Sequence, residues 1–126
     1  MEKIKILVID DDPATCGLLE TILQMEDYRT ASAQKIESEI RILLNKEIPH
    51  LLVMDFHLGS KETVQYISDI RADGKWQYLP IIMTSAIDRR KNCLEAGANS
   101  FILKPFNWQE LTKIVKQLLD DAEKEG

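Results

Sequence analysis

Five residues in this chain of 126 combine the types and spacing that chemistry requires. They are Asp10 and Asp11 in "LVIDDDP", Asp55 in "LLVMDFHL", Ser85 in "PIIMTSA" and Lys104 in "FILKPF". Each closes or directly follows a short aliphatic run. Carboxylates brought together repel: a pair about 4 Å apart at an effective dielectric of about 20 costs about 4 kcal/mol. Something must offset that repulsion. Clustered carboxylates with room for water form a hard-cation site suited to Mg²⁺, which would neutralise them. Asp55 follows the central strand candidate most directly and is placed to attack phosphorus, as carboxylates do in aspartyl-phosphate chemistry. Phosphoryl transfer asks a protein mainly to position groups and to neutralise oxygens. Lys104 and the cation would supply charge, and the Ser85 hydroxyl a hydrogen bond. Each residue alone has an ordinary explanation as a cap, a turn or a solvated side chain. Their joint occurrence at every strong strand end favours a site.

The elements that must gather these residues can be read from hydropathy. "IKILVI" (4–9), "HLLVM" (50–54) and "PIIMTS" (80–85) are near-continuous apolar runs rich in β-branched residues, and "YRTASA" (28–33) and "SFILK" (100–104) are weaker strand candidates. Such runs fit strands buried on both faces of a parallel sheet. Helical spacing recurs between them. Residues 13–25 carry Leu18, Leu19, Ile22 and Leu23, with Asp12 as N-cap and Pro13 at the first helical position. Residues 35–46 carry Ile36, Ile40, Leu43 and Leu44, and residues 61–72 carry Val64, Ile67 and Ile70. A last helix opens on the capping pair Asn107 and Glu110 and presents Leu111, Ile114, Val115, Leu118 and Leu119 as one stripe. Strand and helix alternating five times predict a three-layer α/β domain, a five-stranded parallel sheet with five helices joined by right-handed crossovers. In such sheets sites form beyond the carboxyl ends of the strands, near the switch in strand order.

Composition narrows the classes. One domain is expected over 1–126, with a core from about residue 3 to 122 and a frayed charged tail at 123–126. A hydrophobic content of 44% suffices for a core without metal or disulfide staples. The net charge of −5, from 21 acidic and 16 basic residues, disfavours direct nucleic-acid binding, which needs clustered Lys and Arg. Cys16 and Cys93 stand apart and suggest reduced, buried thiols rather than a disulfide or zinc site. No secretion signal is evident, and no segment approaches the roughly 18 apolar residues of a membrane span. The expectation is a soluble cytoplasmic chain without membrane contact. Gly17, Gly59, Gly74, Gly97 and Gly126 form neither GxGxxG nor a Walker loop, so a nucleotide fold is disfavoured.

These motifs, in this order, resemble the receiver domain of two-component response regulators over about residues 3–122. The resemblance rests on the acid pair in "LVIDDDP", the acceptor in "LLVMDFHL", the hydroxyl residue followed by Ala86 in "PIIMTSA", and the Lys-Pro of "LEAGANSFILKPF" before an amphipathic helix. It implies a flavodoxin-like (βα)5 fold. Asp55 would accept a phosphoryl group from a phosphohistidine on a histidine kinase or histidine phosphotransfer protein. The resemblance also implies Mg²⁺ held by Asp11 and Asp55 directly, by Asp10 largely through water and by the backbone carbonyl of His57. Ser85 and Lys104 would contact phosphoryl oxygens, Phe101 would fill the aromatic switch position, and the bond before Pro105 would be cis. Such a chain catalyses only its own phosphorylation and dephosphorylation. It signals to a downstream effector protein or domain, and it allows a homodimer.

The chain departs from the family pattern in three places. "FHLGSKET" puts Gly59 where Pro is usual and Thr63 where Gly is usual, which predicts a looser loop after Asp55. Ile87, two residues past Ser85, is apolar and would keep water off the phosphoryl group. Ten residues separate Ala86 from Gly97, about three fewer than is common, so the fourth helix should lose roughly one turn. Lacking a hydroxyl, Phe101 reads equally as a switch and as core, and His57 and His50 read as a rim side chain and a strand-start residue. Two other functions compete. One is a Mg²⁺-dependent phosphatase with an aspartyl-phosphate intermediate, whose DxDx(T/V) motif would need a hydroxyl or Val where Ala14 stands. The other is a pure interaction module without phosphorylation, which the full set of site residues argues against.

Overall fold

A computed structural model describes residues 3–125. In chain order the elements are β1 (Lys5–Ile9), α1 (Pro13–Met25), β2 (Arg29–Ala33), α2 (Ile40–Glu47), β3 (Leu51–Asp55), β4 (His57–Leu58), β5 (Lys61–Glu62), α3 (Val64–Ala72), β6 (Ile81–Ser85), α4 (Arg90–Ala96), β7 (Ser100–Leu103) and α5 (Trp108–Glu125). Five strands form one parallel sheet in the order β2-β1-β3-β6-β7. This is the flavodoxin-like order, in which the chain winds outward from β1 to β2 and then returns to start the other half at β3.

The aliphatic runs are explained by burial on both sides. Along β1, Ile6 and Val8 enter one core with Cys16, Leu19 and Leu23 of α1 and Leu111 and Val115 of α5. Leu7 and Ile9, pointing the other way, enter a second core with residues of α2, α3 and α4. Side chains alternate across a strand, so a sheet covered on both faces needs apolar residues at every position. Each fully buried aliphatic contributes about 1.5–3 kcal/mol. Cys16 and Cys93 are free and buried in these two layers. Burial pushes the Cys93 thiol up to about 11, so it stays protonated at neutral pH.

Helix boundaries follow local chemistry. Asp12 caps α1, its carboxylate accepting from the Ala14 N–H at 3.1 Å and the Thr15 hydroxyl at 2.8 Å, with Pro13 opening the helix. Asn107 caps α5 by accepting from the N–H groups of Gln109 and Glu110. As the short spacing predicts, α4 has only seven residues, and it ends on Gly97 at φ +117°. α5 continues to Glu125, so residues 123–125 are helical where the charge run suggests fraying, and Gly126 lies outside the described residues. Two helices start later than their periodicity predicts. α2 begins at Ile40 rather than 35 because Ile36 packs on the core from an irregular segment, and burial does not demand helical dihedrals. α3 begins at Val64 rather than 61 because Lys61 and Glu62 are taken up in an antiparallel pair with His57 and Leu58.

At the amino end of the sheet, Arg71 ties three segments together. Its guanidinium donates to the carbonyls of Gly97 (2.9 Å), Gln77 (2.9 Å) and Leu79 (2.7 Å) and to Asn99 Oδ1 (2.8 Å). Asn99 Oδ1 also accepts from the Ile81 N–H, so β6 and β7 start from one shared anchor. A Cβ at position 97 would come within 2.9 Å of Arg71 Cγ, which with the positive φ requires glycine there. Arg71→Ala should lower unfolding free energy by about 3 kcal/mol, since several acceptors lose a charged donor at once. Urea denaturation measures this, and Arg71→Lys should recover only part of the loss because an ammonium cannot span the same fork.

Candidate functional site

The four site segments meet where the strand order reverses. Asp10 follows β1, Asp55 ends the neighbouring β3, Ser85 ends β6 and Lys104 follows β7. One carboxylate oxygen from each of Asp10, Asp11 and Asp55 lies within 4.8 Å of the others. Asp10 is buried, Asp55 is 9% exposed and Asp11 is open to solvent. Lys104 Nζ stands 2.7 Å from Asp10 Oδ2 and 3.5 Å from Asp55 Oδ2. Asp10 Oδ1 also accepts from the Asp12 N–H at 2.9 Å, so both of its oxygens are engaged. Ser85 is buried one strand over, its Oγ accepting from the Ile87 N–H at 3.2 Å, while its carbonyl accepts from the Lys104 N–H at 2.8 Å.

The remaining predicted residues lie around this centre. The Lys104–Pro105 bond is cis, as expected. Phe101 is fully buried in β7 opposite Met83, with the Arg90 guanidinium 5.5 Å from its ring centre. Ile87 is exposed. The His57 ring meets Phe56 edge-on at 4.8 Å, and its Nε2 lies 3.8 Å from Glu62. Its imidazole is not among the clustered ligand atoms, which come from the three aspartates. His50 sits at the start of β3, its Nδ1 accepting from the Lys5 N–H at 2.9 Å.

Charge and burial act against each other here. Burial raises the Asp55 pKa above the usual carboxylate range; Lys104 opposes this, and the charges of Asp10 and Asp11 add to it. For Lys104, burial alone would lower the pKa. The hydrogen bond to Asp10 and the charges of Asp55 and Asp10 outweigh it, so the ammonium is held more firmly than a free lysine. Three carboxylates face one ammonium here, an excess of two acidic groups.

The loop after Asp55 corrects an expectation. It is not looser but is a two-residue hairpin, with His57 paired to Glu62, Leu58 paired to Lys61 and Gly59 at φ +64° in the turn. Thr63 is fully buried, and its hydroxyl donates to the carbonyls of Asp55 (2.7 Å) and Phe56 (3.1 Å). At the tip, the Gly59 N–H donates to Asp11 Oδ2 at 2.8 Å. The Gly59-Ser60 pair between two short extended stretches was the sequence signal for this hairpin.

Fold and site together define a doubly wound α/β domain with an acidic cluster and one ammonium at its switch point. The family model of the response regulator receiver domain matches residues 6–116, and the chain belongs to that family, with the fold of CheY-like receivers. It is 32% identical, over 98% of its length, to the probable transcriptional regulator ycf27 of Porphyra purpurea, and it spans about half the length of the ycf27 relatives it matches. A CheY-like receiver domain protein from Methanospirillum hungatei superposes with a TM-score of 0.87 at 28% identity, covering 99% of this chain and all of that one. The receiver domain of a Pseudomonas aeruginosa sensor histidine kinase, solved with magnesium in its active-site cleft, gives 0.76 at 27% identity, covering 94% of this chain and 99% of that one. This membership sets the phosphatase reading aside.

A raised native pKa means that the folded chain binds the Asp55 proton more tightly than the unfolded chain. Stability therefore falls as pH rises from the usual carboxylate range through the raised value, and it stays low above it. Asp55→Asn should remove that fall and make the protein more stable than wild type at pH 7. Urea midpoints of both forms between pH 4 and 8 test this; a less stable variant at pH 7 would contradict it.

Proposed function

We propose that the chain is a phosphorylation-switched receiver of a two-component or phosphorelay system, with Asp55 as acceptor. What supports this most is the convergence of three carboxylates with the Lys104 ammonium at 2.7 and 3.5 Å from two of them. A carboxylate oxygen of Asp55 forms the new O–P bond as the P–N bond of a donor phosphohistidine breaks. The imidazole nitrogen keeps the bonding pair and takes a proton from solvent. Lys104 can turn from Asp10 towards a phosphoryl oxygen, and the Ser85 hydroxyl can donate to another.

The donor set also fits Mg²⁺: all oxygen, several negative charges and an exposed Asp11 that leaves room for water. Asp11 and Asp55 would hold the ion directly, Asp10 largely through water and His57 through its carbonyl. When bound, it supplies charge that neutralises phosphoryl oxygens. The donor is a histidine kinase or histidine phosphotransfer protein, which puts the exchange in the cytoplasm. Among the described residues no helix is long and apolar enough to cross a membrane. Output passes by contact with an effector protein or domain, with Ser85 and Phe101 as the switch pair.

Incubation with Mg²⁺ and a small phosphodonor should add one phosphoryl group by intact mass, labile to hydroxylamine and absent in Asp55→Asn. An unmodified wild type would refute the reading. Because Ile87 is apolar, the modified chain should keep its phosphate for minutes or longer after the donor is removed; loss within seconds in Mg²⁺ buffer would contradict that role.

A further inference from the structure

The hairpin after Asp55 connects two of the three carboxylates through bonds that carry no charge of their own. At its base, Thr63 shares one hydroxyl proton between the carbonyls of Asp55 and Phe56, and its N–H donates to the Phe56 carbonyl at 2.9 Å. At its tip, the Gly59 N–H holds Asp11 Oδ2. One arm is packed down by Leu58 against the core of α2, α3 and α4. The other is anchored on α3 by Lys61, whose Nζ donates to the Tyr66 hydroxyl at 2.6 Å and lies 4.7 Å from that ring's centre. The Phe56 N–H is bound by the Thr84 carbonyl of β6 at 2.8 Å, so the base of the hairpin is also fixed to the sheet.

We propose that this hairpin is a clasp that sets the spacing of Asp55 and Asp11, and that Thr63 is the positioning residue that closes it. The inference rests on the reading of these carboxylates as a cation and phosphoryl site. Thr63 does not reach the reacting atoms. It acts through the backbone of residues 55 and 56, which fixes where the Asp55 carboxylate and the His57 carbonyl are presented. A glycine at position 63 would have no hydroxyl to make these two bonds. Groups that orient a metal's ligands are commonly worth about 10–100-fold in affinity or activity, and a displacement of about 1 Å costs a similar factor in rate.

The test compares Thr63→Val, which keeps the shape and removes the hydroxyl, with Thr63→Ser, which keeps the hydroxyl and removes the methyl. All three proteins are assayed at a temperature where circular dichroism shows each fully folded. Mg²⁺ affinity is read by calorimetry, and the maximal rate of phosphoryl uptake is read by mass at saturating Mg²⁺ and small phosphodonor. Thr63→Val should bind Mg²⁺ about 10-fold more weakly and react about 10-fold more slowly, while Thr63→Ser stays within about 2-fold of wild type on both counts. A Thr63→Val protein that matches wild type in affinity and maximal rate overturns the clasp, as does a Thr63→Ser protein that falls as far as Thr63→Val. A wild type that takes up no phosphoryl group overturns the functional reading instead, and the Mg²⁺ titration then decides the clasp alone.

Discussion

Repulsion among Asp10, Asp11 and Asp55 is the constraint around which this molecule is organised. Three carboxylate oxygens within 4.8 Å of one another would drive the strand ends apart if nothing opposed them. Lys104 is the opposing charge, and it arrives from the far half of the sheet, more than ninety residues away along the chain. Among the described residues it is the ammonium that contacts two of these carboxylates at once, and on the proposed reading it is also the group that meets a phosphoryl oxygen. On that reading, the stability of the site and its reactivity draw on the same side chain. Burial makes the arrangement sensitive: the Asp55 carboxylate is held above its usual range chiefly by desolvation, so any added cation acts on a charge that solvent screens poorly.

The rest of the fold makes that strain bearable. Strands buried on both faces resist separation, since parting them would expose aliphatic residues on two sides at once. At the opposite end of the sheet, Arg71 joins α3, the turn after α4 and the starts of β6 and β7. The strands that lead to Ser85 and Lys104 are therefore fixed at their beginnings by one shared anchor. The hairpin from His57 to Glu62 does the same job locally, with its base on the Asp55 backbone and its tip on Asp11.

Much of this was legible in the sequence because the parallel sheet imposes a strong rule. All five main strands were located to within a residue at their ends, and the first residues beyond them pointed to Asp10, Asp11, Asp55 and Lys104 as neighbours. Asp12, Pro13 and Asn107 marked helix starts because capping is decided by nearest neighbours. What escaped was chemistry between side chains and distant backbone. Thr63 bonds to carbonyls seven and eight residues earlier, and Arg71 to carbonyls as far as position 97. No local pattern encodes such partners. Ile36 misled for a related reason, since an apolar residue at helical spacing can be buried from a loop.

The central claim, that these carboxylates are kept together in readiness for a cation, is tested most directly by melting the protein against increasing Mg²⁺. A ligand bound only by the native state raises the melting temperature by mass action. The wild type should shift upward along a single-site curve, and Asp11→Asn, which removes one anionic ligand without emptying the core, should shift far less at every concentration. A wild-type melting temperature that does not respond to Mg²⁺, or an Asp11→Asn protein that responds equally, would contradict the account.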